Sequence, residues 1–410
     1  GASRFALLTG RGPHPSGVTG SNSALYSGKT AIAAEEQSGA QTMPELFRRS
    51  GYRTVCIGKI SHTPDGKVYR YDGTGDGRPE LPGAWDDLAT PVGPWKRGWG
   101  AFFAYQGGRH REDGQGNRDV MEFQAEKDED LPDGLMARRA VEKLRELKTA
   151  GRPFFMGLGF FKPHLPFVAP KRDWEAMAKI DVPLPPRPGK IDSPRWHGSG
   201  EFFKYNFPFE KNRPLKDEHQ IAARRAYLAC VRYVDRQVGK VLDELDRLEL
   251  ADNTVVVVWG DHGWHLGDSG MWGKHTPFER ALRSALIIKA PQATEPGRRC
   301  DALVESIDLY PTLIALCEPR FRETRFPLDG ESLMPLLTGD RRKVREAAVS
   351  YWKNSTSVRT ATHRLIASMK NGEADRVELY SLKDGPDPTD NLAASEPELV
   401  KKLLSFLPSK

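Results

Sequence analysis

Cysteine is sparse and dispersed: Cys56, Cys230, Cys300 and Cys317 are spread over 410 residues, with no CxxC pair and no short spacing. That pattern excludes a disulfide framework and a cysteine-built zinc site, and it leaves the redox compartment open. No run of about 18 or more apolar residues occurs, which excludes a membrane-spanning helix. Neither sign of charge dominates. With 61 Lys and Arg against 55 Asp and Glu, the net +6 is a mild attraction for anions, far from the basic stripe of a nucleic-acid binder. Internal repeats and low-complexity stretches are absent. So are an initiator Met, a basic n-region and an apolar h-region: the chain opens on Gly1-Ala2-Ser3-Arg4 and reads as a piece of a longer polypeptide. Nothing in the composition fixes an oligomeric state.

What is present suits a large globular protein: 38% hydrophobic and 28% charged residues with 39 Gly and 31 Pro, enough chain for two or three domains. A short helix is predicted from a Thr42 cap to Ser50, then a β-run from Arg53 to Ile57 that delivers Gly58-Lys59. Asp133 is expected to cap a helix whose Met136, Ala140, Val141, Leu144 and Leu147 share a face, followed by a strand from Pro153 to Phe160. The clearest helix spans about His219 to Leu248, with a stripe of Tyr227, Val231, Val234, Val238, Val241, Leu245 and Leu248. The runs Val255 to Val258 and Ala285 to Ile288 read as strands buried on both faces of a parallel sheet. Strands alternating with long helices predict an α/β fold. Tyr105 to Gln124 and the Pro-rich Val182 to Pro214 read as long loops over that sheet. After about Lys343 come four short β-runs, Ala347 to Trp352, Ser357 to Ala361, Arg364 to Ser368 and Val377 to Leu382. A turn from Asp384 to Asp390 and a closing helix from Pro397 to Leu407 follow. The expected division is therefore a catalytic domain over 1–343 and a small α+β subdomain over 344–410.

Three of the strand-like runs end in polar clusters: Lys59 with His62, Lys162 with His164, and Asp261 with His262. In open α/β sheets ligands bind beyond the carboxyl ends of the strands, so clusters distant in sequence are expected to converge there. Lys59, Lys162, Lys274 and Arg4 offer fixed cations, His62 and His164 offer proton transfer, and Asp261-His262, followed by Gly263, offers metal ligands. This inventory suits an anionic tetrahedral group whose charge is neutralised while a bond to oxygen breaks.

The opening Gly1-Ala2-Ser3-Arg4-Phe5-Ala6-Leu7-Leu8-Thr9-Gly10 resembles the sulfatase motif from the residue after its nucleophile onward, with Ala2 where Pro is usual. The stretches GYRTVCIGKISH from Gly51, FFKPHLPF from Phe160, DHGWHLGDSGMWGK from Asp261 and VESIDLYPTL from Val304 carry the resemblance along the chain. LDGESLMPLL from Leu328 and ELYSLKDGPDPTDNL from Glu378 extend it into the tail. The likeness is greatest to the iduronate-2-sulfatase-like branch. It implies an alkaline-phosphatase-like α/β domain, a large mostly parallel sheet flanked by helices, with a smaller C-terminal α+β subdomain. It also implies a formylglycine nucleophile immediately before Gly1, a bound calcium, a sulfated carbohydrate as substrate, and an extracytoplasmic location, whether periplasmic, secreted or lysosomal.

Carried over by residue, the resemblance gives Arg4 the task of holding the formylglycine region and Lys59 that of binding both the aldehyde hydrate and the sulfate. His62 is implied as the base that helps regenerate the aldehyde, and His164 with Lys274 as the pair that grips the sulfate and serves the leaving oxygen. Asp261 and His262 are implied as calcium ligands. The family draws two further metal-binding Asp residues from a strand upstream of the nucleophile. Asp86-Asp87, the only adjacent Asp pair, follows Pro82-Gly83 in a loop-like stretch and is not accepted as their counterpart; that strand and the nucleophile are expected upstream of Gly1. Trp264 and His265 are candidates to line a sugar pocket, with surface or core packing the alternative, favoured for His265. Lys162 receives no inherited role. Arg109, His110 and Arg111 form a basic loop, read first as solvated charge. Cys56 reads as a small buried hydrophobe. Two other functions fit the same inventory: a phosphoester or phosphonate hydrolase of the same superfamily, and a catalytically inactive sulfated-glycan binder.

Overall fold

A computed structural model describes residues 1–198, 200–370, 373–388 and 390–407. Helix α1, Ala2–Thr9, is rich in Ala and Leu, and it stops where Gly10 turns left-handed at φ 65°. It buries Phe5 and Leu8 in one cluster with Tyr310 and with Leu46 and Phe47 of α2, Met43–Arg49. Thr42 stands at the N-cap of α2 as expected, yet its buried hydroxyl has no hydrogen-bond partner among the described residues.

The strand β1, Arg53–Gly58, and β2, Phe154–Gly159, pair in parallel from Arg53↔Phe154 to Gly58↔Gly159, and the two-residue strand Asp87–Leu88 closes the other edge of β1. Gly58 has φ 76°, and a Cβ there would strike the Gly159 carbonyl and the Met136 Sδ. Only glycine lets the chain turn off the sheet at that point and release Lys59 beyond the strand end. Against this sheet lies α3, Pro132–Ala150, which sends Met136 and Ala140 into a core with Val55 and Ile57. Asp133 does not cap α3. It sits buried in the first turn, and its Oδ1 accepts from the backbone N–H groups of Phe161, at 2.6 Å, and Lys162, at 3.2 Å.

The long helix α5, Asp217–Arg247, packs on α3 and on α4, Lys171–Ala178. Its buried face is Ala223, Ala226, Ala229, Cys230, Tyr233 and Leu245; of the expected stripe only Leu245 is fully buried, and Val231 is exposed. Small side chains let the helices approach closely, which pushes the valines to the flank. A second departure concerns β3, Val256–Trp259, and β4, Leu286–Lys289. They pair with each other in antiparallel register from Val256↔Lys289 to Trp259↔Leu286, and neither is buried on both faces: Ile287 is 63% exposed. Trp259 and all four β4 residues line a large cavity.

The C-terminal part follows the sequence reading. Strands β5, Ala348–Trp352, β6, Ser355–Arg359, β7, His363–Lys370, and β8, Glu373–Ser381, form an antiparallel sheet in that order, closed by α6, Pro397–Leu404. Thr389, in the expected turn, and Ser199, in the Pro-rich loop, lie outside the described residues. Buried ion pairs fasten the sheet to the rest: Glu279 accepts from Arg364, and Arg280 clasps Asp387 at 2.5 and 2.7 Å.

One buried carboxylate ties three helices together. Asp128, 2% exposed just ahead of α3, binds Arg172 of α4 and both Arg236 and Lys240 of α5, at 2.5 to 2.8 Å. These cations hold its carboxyl well below the usual carboxylate range against the upward pull of burial. The stabilisation is therefore complete above the ordinary carboxylate pKa near 4 and is lost as the pH falls through the lower folded value. Asp128→Asn, which takes one buried carboxylate from three cations and leaves Arg172 with no ion pair among the described residues, should lower unfolding stability by about 3 kcal/mol at neutral pH, and the deficit should shrink under strong acid. Urea titrations of both proteins at pH 7 and pH 3 check this; an equal deficit at both would remove the charge from the explanation.

Candidate active site

Five chain segments deliver the site, α1, the stretches beyond β1, β2 and β3, and the turn that carries Lys274, and hydrogen bonds fix the first three. From α1, the Arg4 guanidinium donates to the carbonyl oxygens of Lys59 and Ile60, and to Asp261 Oδ2 at 3.1 Å. One side chain thus locks the first helix to the ends of β1 and β3. Beyond β1, Glu80 is wholly buried and accepts from the Ser61 hydroxyl and from the backbone N–H groups of His62, at 3.1 Å, and Thr63, at 2.8 Å. The segment from Lys59 to Thr63 is held in one shape by this single carboxylate. Beyond β2, the Lys162 ammonium donates to the carbonyls of Pro166, at 2.7 Å, and His164, at 3.2 Å, while Asp133 holds its backbone. Lys162 is therefore buried support for His164 and not a ligand-facing cation.

At the centre, Lys274 Nζ stands 2.8 Å from His164 Nε2. The other ring nitrogen, Nδ1, is 2.7 Å from the Leu165 carbonyl, which only accepts, so Nδ1 carries the hydrogen and Nε2 presents its lone pair to the ammonium. Burial and the neighbouring Lys274 hold the imidazole neutral, well below its ordinary pKa. Lys59 Nζ lies 4.2 Å over the Phe102 ring, and Phe102 in turn lies 4.7 Å from the His164 ring. Burial, then Arg4 and Lys274, lower the Lys59 ammonium to about 7. His62, packed 5.5 Å from Trp99, is pushed down to about 2 by burial and by Lys59, and is a neutral base at physiological pH.

Asp261 works against burial through Arg4, which keeps it ionised. His262 Nδ1 points at the Gly263 carbonyl, 2.8 Å away, which leaves Nε2 as a lone pair 3.3 Å from Asp261 Oδ1. Burial lowers this imidazole to about 4, so at neutral pH two acceptors face each other. That is the chemistry of a cation edge, and the pair fits two donors of a divalent metal. Among the described residues no group of three or more His, Cys, Asp and Glu completes a metal shell.

All seven expected residues, Arg4, Lys59, His62, His164, Asp261, His262 and Lys274, line one cavity of about 2390 Å³ together with Gly1, Ala2 and Ser3. Trp264 packs behind them, 6.4 Å from the rings of His164 and His262. His265 is fully buried and bonded to Thr276 at 2.9 Å, a core residue. Asp86 and Asp87 are ion-paired to Arg48, Arg53 and Lys143 away from the metal edge. Glu80, Asp133 and Glu201, the last 3.9 Å from both His164 and Lys274, escaped the sequence reading. No motif surrounds Glu80 or Glu201, and Asp133 carries the signature of a helix cap.

The Sulfatase family profile matches residues 1–318, and that of the C-terminal region of N-sulphoglucosamine sulphohydrolase matches residues 267–407. A sulfatase of Formosa agariphila is 28% identical over 399 residues, covering 89% of this chain and 69% of that protein. Iduronate 2-sulfatase of Mus musculus is 28% identical over 354 residues, covering 77% of this chain and 59% of that one. The chain thus spans about three fifths to two thirds of the length of these relatives. A structure solved in complex with its substrate D-glucosamine-2-N,6-O-disulfate superposes with a TM-score of 0.68 at 21% identity, covering 99% of this chain and 86% of that chain, a likeness of fold. By its family match, which takes in every residue of the site just described, the chain belongs to the sulfatase family, with an alkaline-phosphatase-like α/β fold.

Proposed function

We propose that this chain is the catalytic part of a sulfuric ester hydrolase that cleaves a sulfate ester on a carbohydrate, with a formylglycine as the residue immediately before Gly1. The observation that carries the reading is the convergence of Lys59, Lys274 and Arg4 on the N-terminal end of α1, with Asp261 among them and Glu201 3.9 Å from Lys274 as the two carboxylates. A tetrahedral monoanion completes that balance, and the unbonded N–H groups at the start of the helix add to the attraction. Formylglycine supplies the attacking oxygen when the chain carries it. Calcium, held in part by Asp261 and His262, supplies positive charge beside the sulfate oxygens. Residues 1–343 form the catalytic domain in this reading and 344–410 the small subdomain. No helix of the described residues is long and apolar enough to cross a membrane; an extracytoplasmic location stays part of this reading through the family resemblance alone.

Within the site the proton inventory divides the labour. A sugar alkoxide is a poor leaving group and needs a proton as the S–O bond breaks. The His164 lone pair is already accepting from Lys274, so Lys274 holds the proton and His164 aims it. Burial lowers the Lys274 ammonium from its ordinary value and makes that proton easier to give. His62 is neutral and free to accept a proton after the ester has been cleaved. Lys59, beside the start of α1, neutralises sulfate charge.

Three outcomes test this. Peptide mass spectrometry across the residue before Gly1 in the complete polypeptide should find formylglycine, together with turnover of 4-nitrophenyl sulfate; an unmodified, non-convertible residue there would end the sulfatase mechanism. His164→Ala and Lys274→Ala should depress kcat on alkyl sulfates about 100-fold or more, and on aryl sulfates, whose leaving oxygen needs less help, by much less. Equal losses on both classes would reject the proton-donor role. Because the Lys59 ammonium binds the anion and its neutral amine does not, kcat/KM should fall as the pH rises through about 7. Lys59→Arg, which does not titrate there, should abolish that alkaline limb even at reduced turnover; an unchanged limb would assign it to another group.

A further inference from the structure

The basic loop Arg109, His110 and Arg111 separates in the structure into three different environments. Arg109 is paired with Glu122, and His110 is buried with its backbone N–H on Asp113 at 3.0 Å. Arg111 alone turns into the cavity. Its guanidinium lies 3.4 Å over the Phe103 ring, and the other side of the contact is catalytic: Phe103 is 6.2 Å from the His164 ring. One aromatic ring therefore separates Arg111 from the sulfate-gripping pair.

The guanidinium is held rigidly. Nε donates to Glu112 at 2.7 Å, and Nη1 to the hydroxyl of buried Tyr205 at 2.8 Å. Nη2 makes no hydrogen bond among the described residues, and the side chain is 19% exposed. Two more cations, Arg118 and Lys204, line the same wall, exposed and without an ion pair among the described residues. Glu112 and Glu201 are the acidic groups there, the first committed to Arg111 and the second beside His164 and Lys274. Between wall and centre stands Tyr71, 45% exposed, edge-on to Trp99 at 4.5 Å. An exposed aromatic ring next to a fixed guanidinium fork is a place for a sugar face with an anionic substituent.

We propose that Arg111, backed by Arg118 and Lys204, forms a second anion subsite that receives a carboxylate or a second sulfate on the same substrate, with Tyr71 against the sugar. The proposal deepens the sulfatase reading and rests on it for the position of the first sulfate. It makes the substrate a sugar unit with two negative groups, one cleaved and one only recognised. A planar, pre-oriented fork discriminates such a group by geometry, where Arg118 and Lys204 contribute field alone.

The test is competitive inhibition of 4-nitrophenyl sulfate hydrolysis by the complete enzyme. Three sugars are compared: N-acetylglucosamine 6-sulfate, glucosamine 2-N,6-O-disulfate and a 2-O-sulfated uronate. Either two-anion sugar should bind about ten-fold tighter or more than the one-anion sugar, and which of them does so tells carboxylate from second sulfate. Arg111→Met should erase that preference while leaving kcat/KM on 4-nitrophenyl sulfate within about three-fold, and Arg111→Lys should keep part of it. Equal affinity for one-anion and two-anion sugars in the unaltered enzyme, or a preference that survives Arg111→Met, overturns the subsite. So does an equal fall on 4-nitrophenyl sulfate, which would make Arg111 a structural residue. If the unaltered enzyme fails to hydrolyse 4-nitrophenyl sulfate, the sulfatase reading is what suffers. Calorimetric titration of the same sugars into the unaltered protein and Arg111→Met then decides the subsite by the same comparison.

Discussion

Like charges held close in a low-dielectric pocket repel, and this molecule gathers Arg4, Lys59 and Lys274 around Asp261, with Glu201 at the edge beside Lys274. Burial, and after it that repulsion, lowers Lys59 to about 7 and His62, beside it, to about 2. A pocket of this kind costs folding stability and is returned as affinity when an anion enters, because the ligand relieves what the fold imposes. The rest of the architecture is what keeps the cations from relaxing apart. Arg4 is the clearest case: pinned to two carbonyls and to Asp261, it can neither swing to solvent nor let the first helix drift from the strand ends.

The restraint comes from buried polar groups that never face the cavity. Glu80 gathers three consecutive residues, Ser61 to Thr63, around one carboxylate, so His62 is positioned through its backbone and its ring is left free for chemistry. Asp133 and Lys162 do the same for His164 from opposite sides, one holding N–H groups and the other holding carbonyls. Asp133 reaches that loop from α3, whose start is braced by Tyr233: this hydroxyl donates to the Asp128 carbonyl at 2.8 Å and accepts from Gly134 at 2.7 Å. A line of hydrogen bonds thus runs from the helix layer to the loop that carries the His164 imidazole. Each link in it is short and directional, and so tolerates less displacement than apolar packing would.

How much of this was legible depended on whether the signal is local. Lys59, His164 and Asp261 were found because a hydrophobic run stops and a polar cluster begins, a boundary that one sequence displays. The α/β class, β1, β2, the C-terminal sheet and His62 beside Lys59 were legible for the same reason, and the family resemblance gave Arg4 and Lys274 their roles. Glu80 and Glu201 were not, since their partners lie 17 or more residues away and nothing nearby marks them. Asp133 was misread because a carboxylate in a first helical turn has two uses, capping its own helix or holding another segment, and the sequence pattern is the same for both. The valine stripe of α5 misled through periodicity: the face through Ala223, Ala226, Cys230 and Tyr233 repeats at the same three- and four-residue steps, and that face is the buried one. For β3 and β4 the β-branched composition was right, while the direction of pairing depends on contacts that no local run encodes.

The two halves of the cavity differ in how they are built, and that difference bears on specificity. The anion centre stands on segments that leave secondary structure directly: α1, the ends of β1, β2 and β3, and the turn after the two-residue strand Trp272–Gly273. The wall that carries Arg111, Tyr205 and Glu201 comes from the two long loops, Tyr105 to Gln124 and Val182 to Pro214, fastened to each other by the Arg111–Tyr205 hydrogen bond and by Asn206 donating to the Arg118 carbonyl at 2.7 Å. Chemistry that needs fixed distances is placed where the backbone is most constrained, and recognition is placed where residues can change without moving the sheet. Phe102 and Phe103 join the two regions: adjacent in sequence, one ring lies under Lys59 and the other under Arg111, and both touch His164. A sugar bound along that aromatic floor would therefore report its far substituent to the loops while its ester oxygen stays within reach of the imidazole, so that loop recognition and bond cleavage are coupled through the position of two rigid rings.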